Sequence, residues 1–178
     1  MRLLRYSVAM SLDGFIAGPK GEYDWIVTDP DFDWNALWAQ FDTLLMGRRT
    51  YEVALTRFES LEKMGKRVVV VSSTLNPAQH PFVTVVADAV PEAVAALKAE
   101  TGPRSQKDIW LMGGGALFRS LLDAGLVDGV EVAVMPVMLG SGVALLPEGQ
   151  QCRLHLTESH ARKTGIVSLK YAMARAAT

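Results

Sequence analysis

Short apolar runs separated by polar turns make up most of the chain, and the clearest of them is apolar at nearly every position. Residues 67–72 contain four consecutive valines, and residues 83–86 form a second run of this kind. Such a run is typical of a parallel strand that is covered on both faces. Further strands are predicted at residues 3–10, 43–46, 109–112 and 129–135, with a closing hairpin of residues 153–160 and 166–174 around the turn Lys163-Thr164-Gly165.

Helical periodicity alternates with these strands. Apolar residues at positions 34, 37, 38 and 41 fall on one face of a helix that Asp33 can cap. Further helices are predicted at residues 49–55, 91–100 and 116–124, the last ended by Gly125, and loops at residues 19–31, 102–108 and 139–151. This order of elements predicts an α/β fold with a mostly parallel sheet and antiparallel strands at its C-terminal edge.

The composition fits a single globular domain that spans residues 1–178. Apolar residues make up 49% of the chain and charged residues 21%, which is too apolar for a disordered chain. A net charge of −1 argues against nucleic acid or an anionic membrane as a partner. The single Cys152 and the three histidines predict neither an internal disulfide nor a metal site. Because no apolar stretch resembles a signal peptide or a membrane span, we expect a cytoplasmic protein.

Two glycine turns stand where a strand is followed by a helix. One is Gly47-Arg48-Arg49-Thr50, and the other is Gly113-Gly114-Gly115. The first N–H groups of a helix are unpaired and attract anions, and glycine lets a phosphate approach the backbone closely. The Arg48 guanidinium and the Thr50 hydroxyl add further donors. Two such turns on one sheet suit a dinucleotide pyrophosphate, although each turn alone is also consistent with close packing of helix and strand.

A third polar segment follows the valine strand. Ser72, Ser73 and Thr74 stand at its carboxyl end, the edge where ligands bind in open α/β sheets. Lys66 and Arg67 are expected to gather near them. Hydroxyl groups beside a basic residue suit a ribose 2′-phosphate, and no acidic residue follows the strand before position 88. These features predict NADPH rather than NADH as the cofactor, whereas the simpler interpretation is a solvated turn.

In these three segments the chain resembles the dihydrofolate reductase superfamily. The matching segments are Leu45-Met46-Gly47-Arg48-Arg49-Thr50-Tyr51-Glu52, Gly65-Lys66-Arg67-Val68-Val69-Val70-Val71-Ser72-Ser73 and Ile109-Trp110-Leu111-Met112-Gly113-Gly114-Gly115-Ala116-Leu117-Phe118. The resemblance covers nearly the whole chain and keeps the order of the segments. It implies a three-layer fold with a mostly parallel central sheet, an antiparallel C-terminal edge hairpin and helices on both faces.

Other segments are similar to the C-terminal reductase domain of the bifunctional deaminase-reductases of riboflavin biosynthesis. They are Ser11-Leu12-Asp13-Gly14, Gly21-Glu22-Tyr23-Asp24-Trp25-Ile26 and Pro136-Val137-Met138-Leu139-Gly140-Ser141-Gly142. The zinc ligands of the deaminase half, in His-x-Glu and Pro-Cys-x-x-Cys motifs, do not occur in this sequence. We therefore expect a stand-alone form of the reductase domain.

The resemblance also implies which residues bind the cofactor. Ala9 and Ile16 would flank the nicotinamide ring of NADPH. The remaining cofactor contacts would be Gly47, Arg48, Thr50, Ser72, Ser73, Gly113, Gly114, Gly115, Ala116, Leu117 and Phe118. The peptide bond between Gly113 and Gly114 is expected to be cis.

The expected substrate side departs from the family pattern at two positions. The candidate substrate contacts are Tyr23, Trp25, Trp38 and Met112, with Trp25 closing over the site. Met112 stands where the riboflavin reductases have a glutamate, and the helix around Trp38 lacks their arginine. Asp33 and Asp13 are the candidate proton donors. Two simpler interpretations stay open, that Asp33 only caps its helix and that Trp25 only anchors its loop.

Together these features predict an NADPH-dependent reductase that transfers hydride to a small heterocycle. The expected substrate is of the 5-amino-6-(5-phosphoribosylamino)uracil type or of a related pterin or dihydrofolate type. The alternative is an NADPH-binding protein without catalysis that serves as a sensor or an assembly partner, because the substrate positions Met112 and Trp38 are replaced. The resemblance also implies a homodimer.

Overall fold

The computed structural model describes residues 1–58, 61–103 and 105–174, and in these ranges ten strands and four α-helices follow one another. The strands are β1 (Leu4–Ser11), β2 (Phe15–Ala17), β3 (Phe41–Gly47), β4 (Arg67–Val71), β5 (Val83–Val86), β6 (Asp108–Gly113), β7 (Gly129–Met135), β8 (Val143–Ala144), β9 (Leu154–Ala161) and β10 (Val167–Met173). The α-helices are α1 (Trp34–Ala39), α2 (Arg48–Arg57), α3 (Val90–Ala99) and α4 (Gly115–Asp123), and short 3-10 helices lie at Glu62–Met64 and Pro77–Gln79. None of the helices in the described ranges has the length and apolar character that crossing a membrane requires.

Eight of the strands form one sheet in the order β5-β4-β3-β6-β1-β7-β10-β9. The first six strands in this order run parallel to one another, and β10 is antiparallel to both of its neighbours. The expected mostly parallel sheet with an antiparallel C-terminal edge is therefore confirmed.

Side chains that alternate along the central strands build two cores, one on each face of the sheet. Along β3, Leu45 packs with α3 and α4, whereas Leu44 and Met46 pack with α2. Along β6, Leu111 packs in the first core and Trp110 in the second. Both faces of these strands are thus covered, which explains their continuous apolar runs and confirms the expected three layers.

Local sequence sets where the helices begin and end. Asp33 caps α1 by accepting a hydrogen bond from the Ala36 N–H at 2.9 Å, as predicted. The helix ends at Ala39, earlier than the periodicity predicts, because Phe41 is already the first residue of β3 and is fully buried there. After α4, Gly125 has a φ of 67°, a left-handed conformation that glycine adopts without steric cost.

Two short strands were not predicted: β8 lies within the predicted loop 139–151, and β2 lies between the predicted first strand and the loop 19–31. β2 pairs with β8 in a separate two-stranded sheet, within segments too short to show an alternating pattern. Gly142 is required for this close pairing, because its φ is 158° and a Cβ there would lie 2.2 Å from the carbonyl oxygen of Ala17. Residue 104, in the predicted loop 102–108, lies outside the described residues.

A buried hydroxyl in the first core gives a test of the packing. Tyr6 is fully buried, its ring stacks on Phe118 with centroids 3.9 Å apart, and its hydroxyl has no hydrogen-bond partner among the described residues. Because an unpaired buried hydroxyl is destabilising, we expect Tyr6→Phe to raise the free energy of unfolding by about 1 kcal/mol in urea denaturation. In the matched control Tyr51→Phe, a hydroxyl that lies 2.9 Å from His80 Nδ1 is lost, so stability should fall by about 1 kcal/mol. If Tyr6→Phe lowered the free energy of unfolding more than Tyr51→Phe does, this account would be contradicted.

Candidate cofactor crevice and substrate cavity

The two glycine turns lie side by side at the carboxyl edge of the sheet. Gly47 ends β3 and precedes α2, and Gly114 follows β6 and precedes α4. A Cβ on Gly47 would lie 3.8 Å from the Gly114 nitrogen, so the turns are in contact distance. Neither helix has a side-chain cap at its N-terminus. Two helix ends with unpaired N–H groups therefore open beside each other, which is an arrangement suited to the two phosphates of a dinucleotide.

The three consecutive glycines, Gly113 to Gly115, have different structural roles. The Gly113–Gly114 peptide is cis, as expected, and Gly113 has a φ of 137°. A Cβ on Gly113 would lie 3.2 Å from Thr50 Oγ1, so Thr50 packs directly against the turn. A Cβ on Gly115 would lie 2.9 Å from the Ala144 carbonyl oxygen, so this glycine is required by packing against β8. The packing interpretation is thus correct for Gly115, whereas Gly114 has no such close neighbour and stays accessible to a ligand.

Of the residues after these glycines, Ala116 is exposed at the crevice between the two glycine turns, whereas the side chains of Leu117 and Phe118 pack in the core. Ala116 is exposed at the start of α4, and the N–H of Leu117 is among the first-turn groups of the helix. The Leu117 side chain packs against the first core. Phe118 is 3% exposed and its N–H already donates to the Gly114 carbonyl oxygen at 3.0 Å. The expectation that Phe118 binds the cofactor is therefore wrong, because both its side chain and its N–H are used inside the protein.

A polar cluster lies where β4 ends. Arg48 donates from Nη1 to Thr74 Oγ1 at 2.5 Å and from Nε to Glu52 Oε1 at 2.7 Å. Ser73 is exposed beside Thr74, whereas Ser72 is buried and its hydroxyl oxygen accepts hydrogen bonds from the backbone of the following turn. Arg48, Ser73 and Thr74 are thus the groups that remain for an anion here, and the hydroxyl of Ser72, predicted to bind the cofactor, instead holds the turn.

Lys66 and Arg67 are not part of this cluster, which corrects the expectation that they gather there. They stand at the opposite end of β4, about 16 Å away for five residues of strand. Lys66 Nζ donates to two backbone carbonyls, of Trp38 and Phe41, and burial lowers its pKa. Arg67 pairs with Glu100 at 2.7 Å. Both side chains stabilise the amino-terminal edge of the sheet.

A cavity of about 530 Å³ lies between α1 and the sheet, beside β6. Its floor is formed by β1, β7, β10 and β9, whose registers align Ser7, Glu131, Lys170 and Glu158 in one row and Ala9, Ala133, Ser168 and His160 in the next. Three side chains of the second row are small and leave a shallow trough. Trp34 and Leu37 of α1 cover it, and Ile26 and Val27 close one side. The space between the small floor and α1 fits a flat ring.

Carboxylates are the main polar groups of this cavity. Those that line it within the described residues are Asp29, Asp33, Glu131 and Glu158. Asp29 is 9% exposed and lies 3.3 Å from Arg162 Nε, and Glu131, equally buried, lies 2.7 Å from Arg5 Nη1. The sequence analysis found only Asp33 of this group. Glu131 could have been found as the one charge within the apolar strand β7, whereas Asp29 belongs to a loop with no pattern to mark it.

Asp13 has a structural role in place of the proposed proton transfer. Its carboxylate accepts hydrogen bonds from Ser11 Oγ at 2.6 Å and from the N–H groups of Leu139 and Gly140 at 3.0 and 2.7 Å. The Ser11 hydroxyl and these N–H groups lower the pKa of Asp13 to about 2. A carboxylate with this pKa carries no proton near neutral pH, so Asp13 holds the 139–140 segment against the end of β1.

The aromatic residues expected to contact substrate do not line the cavity. Tyr23 lies under the Arg57 guanidinium, 4.9 Å from the ring centroid, and the Trp25 indole N–H donates to the Glu22 carbonyl oxygen. The loop itself borders the cavity through Ile26, Val27 and Asp29. Trp25 is therefore used within its own loop, in agreement with the simpler interpretation.

The other expected contacts divide between cavity and core. Trp38 packs against Trp110 and Phe58, with ring centroids 4.7 and 5.8 Å away, and Met112 packs against the same core. Neither lines the cavity, although Trp110 of the same core does. Of the two residues expected to flank the nicotinamide, Ala9 lies on the cavity floor and Ile16 lies on β2 outside it.

The fold and the paired glycine turns define an α/β protein of the dihydrofolate reductase type. The chain belongs to the RibD C-terminal domain family, whose model matches residues 2–168. It is similar to YyaP of Bacillus subtilis (strain 168), an uncharacterized protein that is 31% identical over 182 residues, covering 96% of this chain and 94% of YyaP. YwjB of the same strain, also uncharacterized, is 30% identical over 144 residues, covering 79% of this chain and 80% of YwjB.

Solved structures show the same fold. A candidate riboflavin biosynthesis protein from Shewanella sp. PV-4 is 25% identical, with a TM-score of 0.81 and coverage of 97% of this chain and 99% of that one. The diaminohydroxyphosphoribosylaminopyrimidine deaminase/5-amino-6-(5-phosphoribosylamino)uracil reductase of Thermotoga maritima is 16% identical, with a TM-score of 0.73. The match covers 97% of this chain and 57% of the Thermotoga chain, and at this identity it shows the fold alone.

The carboxylate of Asp13 makes the stability of the carboxyl edge depend on pH. Because its pKa is lower in the folded protein, its stabilising effect is complete above about pH 4 and is lost as the pH falls through about 2. We expect Asp13→Asn to lower the melting temperature at pH 7, and the difference from wild type to shrink between pH 4 and pH 2. The control is Asp24→Asn, at an exposed aspartate of the loop. A difference that stays constant down to pH 2 would contradict the role of the ionised carboxylate.

Proposed function

We propose that the protein is an NADPH-dependent reductase of a small flat heterocycle of the aminopyrimidine or pterin type. The observation that carries this proposal is the position of β1. Its neighbour β6 brings the Gly113–Gly114 turn to the carboxyl edge, while Ser7 and Ala9 of β1 itself form the floor of the cavity. An anion held at the two helix ends and a ring held in the cavity would thus lie on adjacent strands.

The residues present fit the cofactor. The N-termini of α2 and α4 would hold its phosphates, and Arg48, Ser73 and Thr74 would contact its ribose 2′-phosphate. When bound, NADPH supplies the hydride. The protein would orient the nicotinamide beside Ala9 and exclude water by covering the trough with α1 and the 26–29 segment.

Steady-state NADPH oxidation, followed at 340 nm with a panel of pterins and aminouracils, tests the proposal. We expect oxidation that depends on both the heterocycle and the enzyme and that is abolished when Ala9 is replaced by a bulky residue, as in Ala9→Phe. Tight binding of NADPH with no oxidation by any heterocycle of the panel would contradict catalysis and favour the sensor alternative.

The Arg48 cluster predicts the choice of cofactor. A charge-assisted hydrogen bond to the 2′-phosphate is worth about 1.5–3 kcal/mol, which is roughly a ten- to hundredfold change in affinity. Arg48→Ala should therefore weaken the binding of NADPH by roughly this factor and change the binding of NADH much less. Titration of the variant and the wild type with both cofactors measures these affinities. The matched control is Arg49→Ala, because Arg49 is the adjacent exposed arginine and lies outside the cluster. Equal affinity of the wild type for NADH and NADPH would overturn the assignment of NADPH.

We also propose that the protein forms a homodimer through β9. All eight residues of this edge strand are exposed, and Leu154 and Leu156 are 40% and 47% exposed. The free edge of such a strand is a template for pairing, and two identical strands that pair antiparallel are related by a two-fold axis. Leu156 lies opposite Tyr171 and Glu158 opposite Lys170, so a bulge between these pairs puts the leucines on the face away from the cavity.

A charge on this surface should dissociate the dimer. We expect Leu156→Lys to weaken dimerisation by at least roughly tenfold, measured as molar mass by light scattering over a dilution series. Val53→Lys is the control, since Val53 is also exposed and apolar but lies on α2. A monomeric wild type, or a Leu156→Lys variant that dimerises as the wild type does, would refute this interface.

A further inference from the structure

The charges around the cavity determine which class of heterocycle it can take. We propose that the cavity accepts an uncharged or cationic flat heterocycle that carries no phosphate group. This inference rests on the proposed reductase function and specifies its substrate.

Both permanent cations that line the cavity in the described residues are already paired. Lys170 Nζ lies 2.7 Å from Glu158 Oε2, and Arg162 Nε forms an ion pair with Asp29 Oδ2 at 3.3 Å, in which neither of these two atoms has a hydrogen bond among the described residues. The Arg162 guanidinium also stacks over the Phe32 ring, 5.1 Å from its centroid. A phosphate that took either cation would leave a carboxylate unpaired next to it, and two like charges in one cavity repel.

The remaining charged groups of the cavity are acidic. Asp33 and Glu131 bring the lining carboxylates to four against two permanent cations. Arg5 approaches Glu131 but is divided between it, Gln40 and Asp108. The N-terminus of α1 offers no alternative, because Asp33 caps it and the helix has six residues. A phosphate monoester, with a charge of about −1.5 to −2 at pH 7, would enter an acidic environment.

The same groups favour a ring with N–H donors. Ionised carboxylates only accept hydrogen bonds, so Glu131 and Asp33 suit amino groups and ring N–H groups on a heterocycle edge. The small floor residues Ala133 and Ser168, next to the Ala9 position proposed for the nicotinamide, leave space for such a ring to lie flat on the sheet. Met112 and Trp38, the positions expected to meet substrate, lie in the core and add no cation.

A matched pair of probes tests the proposal, namely 5-amino-6-(ribosylamino)uracil and its 5′-phosphate. Their dissociation constants are measured without cofactor from the quenching of tryptophan emission, since Trp34 and Trp110 line the cavity. We expect the phosphate form to bind at least tenfold more weakly to the wild type, and this ratio to fall as salt screens the charges. Equal or tighter binding of the phosphate form would overturn the proposal.

One variant is expected to weaken the preference for the probe that carries no phosphate. Glu158→Gln removes the charged partner of Lys170, so we expect it to narrow the ratio between the dissociation constants of the two probes severalfold, chiefly by tightening binding of the phosphate form. The matched control is Glu148→Gln, at an exposed glutamate that does not line the cavity. An unchanged ratio in Glu158→Gln would contradict the charge argument.

These measurements separate the inference from the proposed function. The ranking of the two probes depends only on the cavity, so it can fail while NADPH is bound and oxidised normally. A protein that fails to oxidise NADPH but prefers the probe without phosphate would retain this inference and lose the reductase proposal.

Discussion

Burial of the central strands on both faces is the constraint on which the rest of the structure depends. β3, β4 and β6 place side chains alternately into two cores, so helices must cover both sides of the sheet. In a parallel sheet every crossover begins at the same edge, and α2 and α4 therefore start next to each other. The glycine turns meet in this geometry, and Gly113 in particular has little room for a side chain, because a Cβ there would lie 3.2 Å from Thr50 Oγ1 of the neighbouring turn.

Much of the fold could be predicted from patterns of local origin. The valine run of β4, the Asp33 cap and the Gly125 ending each reflect a preference that a few consecutive residues express. The cis peptide was implied by resemblance to a family and not by any local pattern. β2 and β8 could not be predicted, because strands of two or three residues depend on a distant partner for their hydrogen bonds.

The crevice between the glycine turns could be predicted from the sequence, and the cavity much less so. The glycine turns and Arg48 lie within short segments whose chemistry is visible in order along the chain. The cavity is lined by residues of five strands, a helix and loops, so Asp29 and Glu131 come to line one cavity only in the folded sheet. Tyr23, Trp25 and Trp38 are large enough to suggest a ligand, yet the chain uses them for contacts within loops and core.

The irregular pairing between β9 and β10 determines which face of the sheet the leucines of β9 occupy, and this can change during evolution. Along a regular strand, a shift of one residue exchanges the side chains of the two faces. If residue 157 were retained and paired with Tyr171 in a regular ladder, Leu154 and Leu156 would turn toward the cavity wall that Glu158 now occupies on the same strand. A related chain could thus acquire an apolar wall and lose an apolar outer edge by a register shift of one residue, without any substitution in the cavity. The pairing register at this point of the hairpin is therefore where divergence in substrate and in assembly would be inherited together.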